Sequence, residues 1–168
     1  MTQPPRGHNQ DQFLEVIDPD LAKARWYAAL APTALATENV ALANLRGRVL
    51  AQAVAAPGDV PGFDRSNVDG YAVCASDTYG ASEAQPVRLH LGEEVLATGI
   101  APQTEVRPGL ALAIATGGMI PRGANAVVML EDCDLEANGV LVIRRPAIPG
   151  AMISFAGSDI TRGEVVLR

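Results

Sequence analysis

The chain has 168 residues, 48% of them apolar and 19% charged, so it is long and apolar enough to fold around a core. Its net charge of −6 and its 4% aromatic content argue against a nucleic-acid partner, which requires basic surface and stacking side chains. No apolar run approaches the roughly 20 residues of a membrane helix, and Met1–Gln10 is a polar arm without the apolar stretch of a secretory signal. We therefore expect a cytoplasmic protein with no membrane partner.

The segment Asp18–Asp20 predicts the start of a helix, because an aspartate can cap it, the proline suits its first position and a second aspartate complements the helix dipole. Pro32 limits the helix at its other end. Small or apolar side chains lie on one face of this helix, namely Leu21, Ala24, Ala28 and Ala31. We expect this face to pack, and its small residues would let another helix, including one from a second subunit, approach closely.

The residues after this helix predict a strand at Glu38–Ala43, one helical turn at Asn44–Gly47 and a further strand at Val49–Ala55. Beyond Gly58, short apolar stretches recur between glycines and prolines. Regularly spaced short strands of this kind are typical of a compact β domain.

Four strands of this β domain have a clear pattern. Val87–Leu91 and Leu110–Ile114 alternate between larger apolar and other residues, whereas Ala126–Leu130 is continuously apolar, as in a strand buried on both faces. Val140–Ile143 follows the strongest hairpin signal in the chain, Asn138-Gly139. The last residues, Glu164–Arg168, predict a strand at which the sequence stops.

The densest polar motif is the segment Val60–Val73. Its Asp69-Gly70 pair predicts a turn with positive φ at Gly70, which would aim the Asp69 carboxylate outward. An exposed carboxylate of this kind can bind Mg²⁺ or accept a proton. The alternative is a structural turn in which Asp64 and Ser66 bond nearby backbone amides.

A second motif, Thr116–Ala124, directly follows a predicted strand. A Thr-Gly-Gly turn at a strand end can present backbone N–H groups and a hydroxyl to an anion. It lacks the Gly-Lys-Ser/Thr ending and the following helix of a P-loop, so a plain loop is the alternative.

The remaining polar residues do not predict a metal site. The acidic segment Glu131–Asp134 is interpreted as a solvated strand end, because calcium loops need more ligands at closer alternation. Two cysteines and two histidines argue against a zinc site, and we expect Cys74 and Cys133 to be buried, reduced thiols.

Taken in order, these segments resemble the N-terminal half of MoeA-type molybdopterin molybdotransferases, the family that includes the gephyrin E domain. The resemblance spans about residues 39–168 and rests on five blocks, which are Gly47–Ala51, Val60–Ser66, Asp69–Val73, Thr116–Val128 and Gly157–Val165. One block would be weak, whereas the ordered series is specific.

The resemblance implies a fold and an activity. The fold would be mainly β with N-terminal helices (α+β), with a compact β domain of short, coiled strands, residues 59–150, inserted in an elongated helical and linker domain made of residues 1–58 and 151–168. The activity would be the insertion of molybdate into adenylylated molybdopterin, with release of AMP in a Mg²⁺-dependent step. The enzyme would be a homodimer whose cleft faces a larger α/β domain.

The resemblance also implies roles for particular residues. Asp69, Thr116 and Asp159 match positions of functional residues and are assigned as catalytic, with Asp69 also a Mg²⁺ ligand. Residues assigned to cofactor binding are Ser66, Gly70, Gly117 and Gly118.

Two features depart from the family pattern. Ile153–Asp159 contains no arginine where the family usually has basic residues, and Ser158 replaces an acidic residue. No alternation of strands and long helices predicts the α/β domain, so we expect this chain alone to be an incomplete transferase. The alternative is a non-catalytic dimerisation or binding module that lacks the catalytic α/β domain. A third interpretation is a small anion-binding β domain unrelated to molybdenum.

Overall fold

The computed structural model describes residues 17–168, and the polar arm Met1–Gln10 lies outside this range. The described chain divides after Ala51 into two compact units, of which the second is residues 52–168. The described part of the first unit contains helix α1, Pro19–Leu30, and a short 3₁₀ helix, Leu42–Asn44. No helix within residues 17–168 is long and apolar enough to cross a membrane.

The second unit contains the ten strands of the described chain. In order, they are β1 Val54–Ala55, β2 Arg65–Ser66, β3 Gly70–Val73, β4 Val87–Leu96, β5 Leu110–Ile114, β6 Ala126–Met129, β7 Cys133–Glu136, β8 Val140–Ile143, β9 Ile153–Ser154 and β10 Val165–Leu167. The described fold is therefore mainly β with one α-helix, as the sequence predicts at this level.

The predicted start of α1 is confirmed. The side chain of Asp18 accepts hydrogen bonds from the backbone N–H groups of Asp20, at 2.9 Å, and Leu21, at 3.3 Å. The helix ends at Ala31, which adopts a left-handed φ of 39°. The expected packing face is not buried, because no side chain of α1 is buried within the described structure.

Two predictions after α1 are wrong. Glu38–Ala43 forms no strand, and of Val49–Ala55 only the last two residues, β1, form one. A strand requires a neighbour that takes its backbone hydrogen bonds, and β1 pairs with β10 alone. The predicted helical turn at Asn44–Gly47 is a 3₁₀ turn that begins two residues earlier, at Leu42.

Six strands form one sheet in the order β6-β3-β5-β4-β8-β7. All neighbours are antiparallel except β4 and β5, which are parallel. Successive residues of a strand point to opposite faces of a sheet, and here both faces are covered: Val128 belongs to one apolar cluster and Val127 to another. The predicted burial of Ala126–Leu130 on both faces is thus confirmed at its first three residues, whereas Met129 is partly buried and Leu130 is exposed.

The predicted hairpin is also confirmed. Strands β7 and β8 are antiparallel, with Glu136 opposite Val140. Asn138 and Gly139 adopt left-handed φ values of 63° and 70° in the connection, a conformation that these two residue types favour. Cys74 and Cys133 are free thiols, as expected, but only partly buried; burial, with nearby Asp132 and Asp134 as smaller causes, raises the pKa of Cys133 to about 12.

Gly70 is required for a reason different from the predicted one. It does not have a positive φ; it is the buried first residue of β3, between β5 and β6. A Cβ atom at this position would lie 2.0 Å from the backbone oxygen of Val128. The glycine therefore permits a close backbone approach rather than a left-handed turn.

Residues 151–168 fold together with residues 52–150 in one unit. Strand β9 pairs with β2, and β10 pairs with β1. The second pairing joins the end of predicted segment 1–58 to segment 151–168. The division into an inserted domain and a linker domain stays a prediction.

We expect Gly70→Ala to lower the free energy of unfolding by about 1–3 kcal/mol or more, because the new methyl group must displace backbone atoms of β6. Urea denaturation measures this change. Gly58→Ala is the matched control, since a Cβ at Gly58 meets no atom within 4 Å and its φ is not positive. Equal stability of the two variants would contradict the role given to Gly70.

Candidate functional site

The carboxylate of Asp69 and the residue Thr116 are directly hydrogen-bonded. Oδ1 of Asp69 accepts from the backbone N–H of Thr116 at 2.7 Å and from its hydroxyl at 2.9 Å. The two residues are 47 positions apart in sequence. They meet because Asp69 precedes β3, Thr116 follows β5, and these antiparallel strands pair Gly70 with Ile114.

These two bonds favour the ionised form of Asp69. The backbone bond from Thr116 lowers the pKa of Asp69 below its ordinary value of 3.8, and the hydroxyl bond lowers it further, while slight desolvation acts in the opposite direction. Asp69 is exposed, and its Oδ2 accepts no hydrogen bond from any residue in the range 17–168. The site therefore presents an ionised carboxylate with one open oxygen.

Ser66 joins the same two loops through its backbone. Its N–H donates to the carbonyl of Gly118 at 2.9 Å, and its own carbonyl accepts from the N–H of Gly117 at 2.8 Å. Ser66 is 1% exposed, and its hydroxyl donates to the carbonyl of Val68 at 2.6 Å. Ser66 thus holds the loops together, and its hydroxyl points into its own turn.

The backbone N–H groups of the Thr-Gly-Gly turn all have partners within the protein. Thr116 donates to Asp69, Gly117 donates to Ser66, and Gly118 donates to Ala115 at 2.8 Å. The donors that the sequence offered for an anion are therefore already used, and the polar group that faces solvent is a carboxylate.

The two glycines of this turn are needed for its shape. Gly117 has a φ of +81°, and a Cβ at Gly118 would lie 2.6 Å from the backbone oxygen of Leu96. Both glycines thus contribute to a tight junction between the end of β4 and the turn after β5. Their assignment to cofactor binding stays a prediction.

Asp159 lies in the return segment, and no hydrogen bond joins it to Asp69 or Thr116. Its backbone N–H donates to the carbonyl of Val60 at 2.9 Å, and its carboxylate forms no hydrogen bond within residues 17–168. The structure thus assembles six of the seven predicted site residues around two loops and places the seventh on a separate bend.

Two further aspartates anchor this bend. Asp59 accepts from the N–H of Arg162 at 2.8 Å, and Asp64 accepts from the N–H of Ala156 at 2.8 Å. Asp64 does bond a backbone amide, as the structural alternative required, but that amide is 92 residues away. Sequence reasoning had no signal for this contact.

An open depression of about 360 Å³ lies beside Asp69. Its lining is mostly apolar and consists of Asp69, Gly70, Tyr71, Val95, Ala113, Ile114, Ala115 and Leu130. Val95 and Leu130 are 65% and 52% exposed, and the sequence motifs include neither of them. The single charged group on the lining is the Asp69 carboxylate.

Within residues 17–168, no group of three or more His, Cys, Asp or Glu side chains is arranged to hold a metal ion. The acidic segment, predicted as a solvated strand end, contains a 3₁₀ turn, Leu130–Asp132, and the first residues of β7. Asp134 pairs with Arg144, and Asp132 lies 3.4 Å from Arg145. Asp69 can supply one oxygen ligand. This fits Mg²⁺, which often binds through one or two carboxylates together with water and substrate phosphates.

The family model described as the MoeA N-terminal region (domain I and II) matches residues 17–168. The chain belongs to the MoeA N-terminal family. The resemblance predicted from the ordered sequence blocks is therefore confirmed. The match starts where the described structure starts and includes both loops of the site.

Relatives and solved structures agree with this assignment. The chain is 42% identical over 134 residues to a molybdopterin molybdenumtransferase of Bacillus subtilis, covering 78% of this chain and 31% of that protein. It is 41% identical over 129 residues to molybdopterin molybdenumtransferase 2 of Mycobacterium tuberculosis, covering 77% and 31%. A crystal structure of the molybdopterin biosynthesis MoeA protein from Pyrococcus horikoshii OT3 superposes with a TM-score of 0.71 at 45% identity, covering 78% and 34%. The chain thus spans about a third of the length of the relatives it matches.

We expect Thr116→Val to raise the pKa of Asp69 while leaving it below 3.8, because valine removes the hydroxyl bond and keeps the backbone bond. A carboxyl-detected NMR titration measures this pKa. Thr161→Val is the control, since its hydroxyl donates to a backbone carbonyl, that of Gly157. An unchanged Asp69 pKa in Thr116→Val would contradict the assigned hydrogen bond.

The same substitution has a defined effect on stability. A pKa that is lower in the folded state contributes stability above pH 3.8, and this contribution is lost as the pH falls through the lowered value. When the pH is lowered, the free energy of unfolding should therefore fall less in Thr116→Val than in the wild type.

Proposed function

We propose that this chain is the N-terminal portion of a molybdopterin molybdotransferase, which inserts molybdate into adenylylated molybdopterin in molybdenum cofactor biosynthesis. The names of its relatives support this substrate class. The observation that carries the proposal is the Asp69–Thr116 pair, which holds an ionised carboxylate at the edge of an apolar depression.

The charges of the reactants define what Asp69 can do. Molybdate and the adenylylated pterin are both anions, so a carboxylate repels them unless a cation lies between. The open Oδ2 of Asp69 would hold Mg²⁺, which supplies positive charge between the two reactants when bound. Thr116 keeps Oδ1 occupied by two donors, so that the open oxygen of the carboxylate keeps one direction.

The other predicted site residues receive more limited roles. Ser66, Gly70, Gly117 and Gly118 shape and join the loops on which Asp69 and Thr116 lie. Asp159 would contribute a second carboxylate from its separate bend. The side chain of Asp159 has no hydrogen-bond partner within residues 17–168. This arrangement supplies one wall of a site.

The proposal includes three further elements. A larger α/β domain would carry most pterin contacts, a second copy of the chain would complete the homodimer, and the protein would act in the cytoplasm. The exposed aromatic side chains of α1 support a partner surface, since Trp26 is 65% and Tyr27 is 54% exposed. The match covers 31% of the Bacillus subtilis relative, which supports an additional domain.

We expect Asp69→Asn to reduce molybdenum cofactor formation by at least about tenfold, because a neutral amide binds a cation less well. The fold should persist, since the amide oxygen still accepts the bonds from Thr116. The assay supplies adenylylated molybdopterin, molybdate, Mg²⁺ and the α/β domain, and urea denaturation reports stability. Asp77→Asn is the matched control, because Asp77 accepts from the N–H of Gly109, at the opposite end of β5. If Asp69→Asn unfolds the chain but spares activity, Asp69 is structural.

We also expect the 168-residue chain alone to form no molybdenum cofactor from these reactants. The single charged group on the lining of the depression is the Asp69 carboxylate, and a transition state that joins two anions requires cations and donors on both sides. Adding a separately produced α/β domain should restore activity. Efficient turnover by the chain alone would contradict the proposal that the reaction needs the α/β domain. If the chain and the α/β domain form a complex without activity, the non-catalytic binding module is favoured.

A further inference from the structure

Thr98 contacts the candidate site although it belongs to none of the motifs. It lies two residues after β4, in an exposed turn, and its hydroxyl donates to the backbone carbonyl of Thr116 at 2.9 Å. Asp69 already binds the N–H and hydroxyl of Thr116. With Thr98 included, every polar group of Thr116 has a partner.

The bond from Thr98 acts at a point where the backbone could adopt more than one orientation. The carbonyl of Thr116 belongs to the peptide group that precedes Gly117, and glycine tolerates both signs of φ. Gly117 has a φ of +81°, and a Cβ there would lie 3.3 Å from the Thr98 hydroxyl. The N–H of this peptide group, which is that of Gly117, donates to the carbonyl of Ser66 at 2.8 Å, and its carbonyl accepts from the Thr98 hydroxyl. Thr98 and Ser66 therefore hold one orientation of the peptide group together.

The position of Thr98 is itself well defined. Ala115 donates to the carbonyl of Leu96 at 3.0 Å, which joins the end of β4 to the residue before Thr116. Farther along the loop, the carboxylate of Glu94 accepts from the N–H groups of Gln103, at 2.9 Å, and Thr104, at 2.7 Å. The loop that contains Thr98 thus begins where β4 is bonded to the residue after β5, and it is bonded back to β4 at Gln103 and Thr104.

We propose that Thr98 is a positioning residue: by fixing the carbonyl of Thr116, it keeps the N–H and hydroxyl of Thr116 directed at Oδ1 of Asp69. Its importance for catalysis rests on the proposed function, in which Asp69 is the working carboxylate. Its effect on the geometry of Thr116 does not depend on that function.

The test uses three variants of the ¹⁵N-labelled 168-residue protein. Thr98→Val removes the hydroxyl at nearly constant shape, Thr98→Ser retains it, and Thr161→Val removes a hydroxyl that donates to a different carbonyl, that of Gly157. The readouts are the amide hydrogen-exchange rate and the amide proton shift of Thr116, with urea denaturation in parallel.

We expect Thr98→Val to accelerate exchange at Thr116 about 3- to 10-fold, the range that corresponds to one net hydrogen bond, and to shift its amide proton. Thr98→Ser and Thr161→Val should match the wild type at this amide. Unchanged exchange in Thr98→Val overturns the proposal, and so does equal acceleration at all sheet amides, which indicates only general destabilisation. If Thr98→Val does not fold, Thr98→Ser decides the question. A Thr116 exchange rate or amide proton shift in Thr98→Ser that differs from the wild type then overturns the proposal.

Activity separates this proposal from the proposed function. In the assay with the α/β domain, Thr98→Val should lower kcat, and Thr98→Ser should restore it. If Asp69→Asn is fully active, the proposed function fails, and the Thr116 exchange rates still decide the role of Thr98.

Discussion

The pairing of β3 between β5 and β6 is the constraint on which the rest of the second unit depends. It requires a residue without a side chain at Gly70, because the backbone of Val128 occupies the space of a Cβ. It also brings the residue before β3 next to the residues after β5. The hydrogen bonds of Asp69 to Thr116 are therefore a consequence of sheet register, and a change of register by one residue would separate them.

The strands could be predicted where burial produces a pattern in the sequence. Ala126–Met129 is apolar throughout because both faces of its strand are covered, and Leu110–Ile114 follows a turn at Pro108-Gly109. Glu38–Ala43 has similar residues but no strand neighbour. Local composition shows that a segment can be extended, whereas pairing depends on a partner elsewhere in the chain. This is why the strand wrongly predicted at Glu38–Ala43 lies outside the six-stranded sheet.

The candidate site was predictable only in part. Asp69 and Thr116 could be identified because each lies in a recognisable motif, and their meeting follows from the strand pairing. The reason given for Gly70 was wrong, since a turn and a close backbone approach both favour glycine. Thr98 gave no local signal, and the partner of Asp64 could not be identified, because the partners of these residues are 18 and 92 residues away. Contacts of this kind become visible only in three dimensions.

The pairing of β1 with β10 has a consequence for how the second unit can be connected to other chains. Val54 lies opposite Leu167, so the first and last strands of residues 52–168 lie side by side. A unit whose two ends are adjacent can be inserted into a loop of a host protein, or circularly permuted with a short linker, without stretching its sheet. The six-stranded sheet, which includes neither β1 nor β10, would then keep its strand order.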